Sequence, residues 1–149
     1  MKNPLRTLVA PAAFCALAVP VLLSASGPWT SPRAASELED AMQTLQASTK
    51  SLERALDKAE TPKALGLVIE MQDAVRVAKL QTPGKAAELG DEAAKAKFVT
   101  GFRLELIELQ RGLLDVEAAL LQGKADEAKK ALDARVKPLK KRGHDAYKD

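Results

Sequence analysis

Histidine and cysteine are all but absent from this chain: His144 and Cys15 are the sole examples. A single imidazole excludes a metal site built from several histidines, such as a zinc or di-iron centre. A single thiol excludes an internal disulfide and a thiolate cluster. Aromatic residues are scarce as well, 3% of the chain against a hydrophobic fraction of 46%. Alanine and leucine therefore build most of the core, which favours helices over sheets. An excess of one charge sign is also missing. The formal net charge is +3, but Lys2, Arg6 and Arg33 lie in a leading stretch without acids, and the rest of the chain balances to zero. A neutral body carries no electrostatic footprint for nucleic acid or an anionic membrane.

Residues 1–35 read as a secretory signal peptide. Lys2 and Arg6 form a positive start, residues 7–25 are an apolar run, and Ser24-Ala25-Ser26 or Ala34-Ala35 offers small residues for cleavage between 26 and 35. Pro11 and Pro20 interrupt the run, so no stable membrane span is expected to remain after signal removal. Cys15 follows Phe14, too bulky for a lipoprotein processing motif, and is expected to leave with the signal. The mature chain then has no thiol and no Cys-x-x-Cys-His, so any haem is held non-covalently.

Helical periodicity starts at Ser36. Leu38, Met42, Leu45, Thr49, Leu52, Leu56 and Ala59 alternate steps of four and three, the pattern of one buried stripe. Ser36 with Glu39 predicts a capping box at the start of this helix. Thr61-Pro62 predicts a capping threonine and a proline at the first helical position, followed by Ala64, Val68, Met71, Val75 and Ala78. The segment Gln81-Thr82-Pro83-Gly84 stops that helix, and residues 85–96 read as a long loop with a short helical turn at most. A third helix, from Asp91 or Ala93 to Leu121, carries Phe98, Phe102, Leu106, Leu109, Leu113, Val116 and Leu120, and Gly123 ends it. Ala128, Leu132, Val136 and Leu139 mark a fourth, in which Pro138 predicts a kink or bulge. The expected fold is all-α, one antiparallel up-down-up-down four-helix bundle over residues 36–149.

That order gathers the start of the first helix and the end of the fourth at one end of the bundle. At about 1.5 Å per residue, Met42 and His144 each fall within about 10 Å of it. Phe98 and Phe102 open the third helix at the same level. A thioether, an imidazole and two flat rings suit a porphyrin with a ligand on each side of its iron. Each residue also has a plainer role: Met42 as core filler, His144 as a surface group near helix carbonyls, the phenylalanines as packing. No carboxylate pair, nucleophile or base stands out, and no enzyme activity is expected.

Several stretches occur in a telling order: Glu37-Leu38-Glu39-Asp40-Ala41-Met42, Met71 through Thr82-Pro83, Phe98-x-x-Gly-Phe102, Gly123-Lys-x-x-Glu-Ala-Lys129 and Arg142-Gly-His-Asp-Ala-Tyr147. Together they resemble the cytochrome b562 family of soluble periplasmic b-type cytochromes, over essentially the whole chain from Ser36. The resemblance implies one haem b with Met42 and His144 as the axial ligands of its iron. It also implies that Phe98, Phe102 and Met71 touch the porphyrin. Such a protein is a periplasmic monomer that passes single electrons to a redox partner protein, here unidentified. One departure is that the interval from Gly123 to His144 is a residue longer than the family pattern. A bulge at Pro138 absorbs it; without one, His144 turns by about 100° toward solvent. The alternatives are a haem-free bundle acting as a binding or chaperone-like module, and an enzyme with an open coordination position on iron.

Overall fold

The computed structural model describes residues 32–147, with side chains from Ser36 onward. The apolar run and Cys15 of the expected signal peptide lie outside the described residues. Among those described, all regular structure is helical: α1 (Pro32–Asp57), α2 (Thr61–Leu80), a 3-10 turn (Gly84–Glu88), α3 (Glu92–Leu121), and a fourth arm. The arm consists of α4 (Ala125–Ala131), a π-helical stretch (Leu132–Val136) and α5 (Lys137–Tyr147). No helix among the described residues is long and apolar enough to cross a membrane.

The helix ends follow local chemistry, with two corrections to the sequence reading. α1 starts at Pro32, a turn ahead of Ser36, so the Ser36–Glu39 box is inside the helix and not its beginning. Proline suits the first turn because its missing N–H has no intrahelical acceptor there. α2 starts at Thr61 itself, with Glu60 in the cap position and no side chain bonding to the exposed N–H groups. At α3 the cap is Asp91, whose carboxylate accepts the Ala94 N–H at 3.0 Å. The turns after α1 and α3 close alike: Glu60 N–H donates to Ala55 O at 2.8 Å and Lys124 N–H to Ala119 O at 2.9 Å. Each turn uses one left-handed residue, Ala59 at φ 55° and Gly123 at φ 72°.

The stripes face one another. Leu52, Val68, Val75, Leu113, Val116, Leu132 and Val136 are fully enclosed. Thr49, buried among them, satisfies its hydroxyl by donating to Leu45 O at 2.6 Å. α1 packs on α2, α2 on α3, and α3 on the fourth arm. These neighbours agree with an up-down-up-down order. The fourth arm also meets α1 through ion pairs Lys129–Asp57 and Lys137–Glu53, whose positions advance along the arm as they retreat along α1.

The expected disturbance before Pro138 is the π-helical stretch. Lys137 N–H donates to Leu132 O, five residues back rather than four. Proline has no N–H for the carbonyl four residues earlier, and its ring collides with that carbonyl in an ordinary α-helix. Opening the turn by one residue gives the ring room beside that carbonyl. Leu132 and Val136 stay buried at the two ends of the stretch, so the extra residue is absorbed without removing the arm from the core.

Candidate functional site

Along α1, α3 and α5 burial falls toward the end marked by Gln81 and Glu37, while Ala78, Pro83 and Ala86 keep the α2 side of that end buried. On α1, Leu52 and Leu45 are buried, whereas Met42 and Leu38 are only partly covered. On α3, Phe102 is buried and Phe98 is half-exposed. α5 has no buried residue, and Leu139 and Tyr147 lean on the core from outside. The core is therefore closed near the Ala59 and Gly123 turns and thins where Met42, Phe98 and Tyr147 collect. Met71 lies in the closed part, 1% exposed. It is about ten residues, ~15 Å along a helix, before Gln81, whose amide donates to Glu37 at 3.0 Å and marks the thin end.

Helical period assigns the facing sides of α1 and α5. Lys50, Glu53 and Asp57 are on the α1 face that meets the fourth arm: Glu53 and Asp57 pair with Lys137 and Lys129, and Lys50 acts on the charge of Lys140. Met42 precedes Glu53 by eleven residues, about three turns, but is turned by about 60° from Asp57 and about 80° from Lys50, so it lies at the edge of that face toward the core. On α5, His144 follows Lys137 and Lys140 at steps of seven and four, so it continues the stripe that faces α1. α5 itself packs on α3 and on the π-helical stretch, so His144 shares the helical phase of Lys137 without being packed against α1. Extending the Lys129–Asp57 pair places Met42 level with His144, and extending Lys137–Glu53 places it about one turn, ~5.4 Å, nearer the end. The two residues lie toward the same end of the bundle. The His144 side chain is still 60% exposed, with Nδ1 3.6 Å from the Asp145 carboxylate.

The walls differ in chemistry. Tyr147, turned toward α3, meets Phe98 and Phe102 edge-on, with ring centroids 5.1 and 5.2 Å apart. Burial pushes the Tyr147 phenol up from its ordinary value of 10.0, and the nearby Glu105 charge adds to the rise. Glu105 itself pairs with Arg142 at 3.1 Å. Burial pushes Lys140 down from 10.5, and Lys50 adds to that shift as a like charge. Lys137 is pushed up by its hydrogen bonds to Asp133 and then Glu53. Further along the seam where α1 meets the fourth arm, a groove of about 390 Å³ is lined mainly by charged groups, among them Lys50, Glu53, Asp57, Lys129 and Lys137. Those charges largely pair with one another, so the groove lacks the flat apolar wall that the aromatic end offers. Among the described residues there is no cluster of three or more His, Cys, Asp or Glu able to hold a bare metal ion.

Tyr147 and Gly101 were not singled out as site residues by the sequence, nor were Lys50 and Lys140. The available signal was that Tyr147 is the only tyrosine and lies three residues after the only histidine. Its uniqueness makes its environment measurable. In an alkaline absorbance titration the folded chain is expected to form phenolate with a midpoint above 10.0, and the urea-unfolded chain at the ordinary value. The raised value stabilises the fold below the unfolded pKa, and that contribution is lost as pH rises through the folded pKa. Identical midpoints in the two states would show that the ring is not packed.

No curated protein and no solved structure matches the chain. The family model for cytochrome b562 matches residues 37–148. That span runs from just before Met42 to just after Tyr147 and takes in all four helical arms, and the chain belongs to the cytochrome b562 family.

Proposed function

We propose that this chain, once a signal peptide ending between residues 26 and 35 is removed, is a periplasmic electron-transfer protein. Its antiparallel up-down-up-down four-helix bundle, residues 36–149, holds one non-covalent haem b, with Met42 and His144 as the axial ligands of the iron. The observation that supports this reading most is the pairing of stripes at the thin end. Met42 on α1 is partly buried against the core and His144 on α5 stays open to solvent, and helical phase turns both toward the side where α1 meets the fourth arm. The donor set fits: neutral imidazole and thioether are ligands that haem iron accepts, and the mature chain offers no thiolate to compete.

When bound, haem supplies a one-electron iron couple. The chain's residues determine how that couple is used. Met42 and His144 would hold the iron from both sides and leave oxygen or peroxide no place on it, as a carrier rather than an oxidase or peroxidase requires. The Met42 thioether favours the reduced state and raises the potential relative to two nitrogen ligands. Phe98, Phe102 and Met71 would touch the porphyrin and exclude water from it. Lys50 and Lys140 place positive charge on the seam, matching the carboxylates at the edge of a porphyrin. The mature chain carries no net charge, so its net charge does not select the redox partner protein. The carrier works as a monomer.

A second reading, a haem-free bundle with a binding or chaperone-like role, is favoured by the 60% exposure of His144. Thermal melting with added haem separates the two. Haem at about 100 times its Kd adds about 2.7 kcal/mol to the folded state, expected as a rise of several degrees in Tm. A Tm that ignores haem supports the haem-free bundle.

A further inference from the structure

The Phe98-x-x-Gly-Phe102 motif contains a glycine that its helix does not need. Gly101 is in the interior of α3, where alanine ordinarily gives the more stable helix. A Cβ built at Gly101 meets the Tyr147 hydroxyl oxygen at 3.0 Å, whereas one built at Gly66 or Gly143 meets nothing within 4 Å. The absent side chain is the space that the Tyr147 hydroxyl occupies. Phe98 and Phe102 hold the same ring edge-on at 5.1 and 5.2 Å. α5 has no buried residue to dock its last turn. Beyond the Arg142–Glu105 pair, the described contact that fastens this turn to α3 is the Tyr147 ring. His144 is on that turn, three residues earlier.

We propose that Gly101 and Tyr147 form a lock that fixes the rotation of the last turn of α5 and thereby aims His144 across the seam toward α1. Tyr147 is then a positioning residue for the iron ligand, a role that rests on reading His144 as that ligand. A helix end held only by exposed groups frays and rotates. A ring seated between two phenyls and over a glycine allows one rotation.

The test is a double-mutant cycle on the full chain, using Gly101→Ala, Tyr147→Phe and the pair together. Without haem, Gly101→Ala is expected to lower Tm, against the usual sign for alanine in a helix, because the new methyl crowds the hydroxyl and shifts the ring from its seat between Phe98 and Phe102. In the Tyr147→Phe background the hydroxyl is gone, and the same change is expected to be neutral or to raise Tm. With haem, Gly101→Ala is expected to release haem ~10-fold faster, the scale seen when a group that orients a metal ligand is lost. Its high-spin fraction is expected to rise. The double variant should return both readouts to the Tyr147→Phe values. Additive melting temperatures overturn the lock, whether or not haem binds. Coupled melting with unchanged haem release and spin state overturns the positioning role. A wild-type chain that takes up no haem overturns the ligand reading and the positioning role with it, and intact coupling in the melting cycle tells that failure apart.

Discussion

Replacing His144 with alanine is expected to abolish haem retention under conditions where the unmodified chain stays loaded. His144 is the only imidazole in the sequence, so no neighbouring residue can substitute for it. The remaining thioether is a poor sole ligand for ferric iron, and the loss should exceed the roughly 10–100-fold that follows removal of an orienting group alone. The fold should survive, because His144 is 60% exposed and contributes little to the core. Gel filtration of a haem-reconstituted sample, monitored at the Soret band, gives the result directly. Full haem retention by His144→Ala would mean that iron is held elsewhere.

Replacing Met42 with alanine is expected to act differently. The imidazole is kept, so haem stays, but one axial position opens. The ferric spectrum should move toward high spin and the reduction potential should fall by on the order of 0.1 V, a modest part of the ~0.8 V range that axial ligation spans. Carbon monoxide should then bind the ferrous protein, which the six-coordinate parent resists. Met42 is only partly buried, so the cost to the fold should be below the ~2–5 kcal/mol of a fully enclosed Met→Ala change. Unchanged potential and spin state would show that Met42 is core packing at the edge of the seam and no more.

The sequence is most informative where structure is local. The alternating three-four steps from Leu38 to Leu56, and again from Phe98 to Leu120, predict helices because only that spacing puts one side of a helix into a core. Asp91 and Gly123 mark the ends of α3 because a carboxylate cap and a left-handed glycine answer for unpaired backbone groups where they stand. The start of α1 is less legible: Ser36 and Glu39 have capping chemistry, but nothing nearby stops the helix from continuing back to Pro32. Pro138 announces a disturbance, and its ring chemistry accounts for it. Where His144 points depends on which residues of α5 face α1, and sequence spacing does not show distant partners such as Glu53, which pairs with Lys137. The Tyr147–Gly101 contact joins residues far apart in sequence, one of them a glycine whose role is to leave room. Periodicity carries no record of such a pairing.

The most direct test of haem ligation by Met42 and His144 is the visible absorption spectrum of the haem-loaded full chain, oxidised and then reduced. A low-spin spectrum in both states, with sharp α and β bands on reduction and no response to carbon monoxide without denaturant, is the result expected of iron closed on both sides. A spectrum indistinguishable from free haem, or ready carbon monoxide binding by the unmodified ferrous protein, would contradict it.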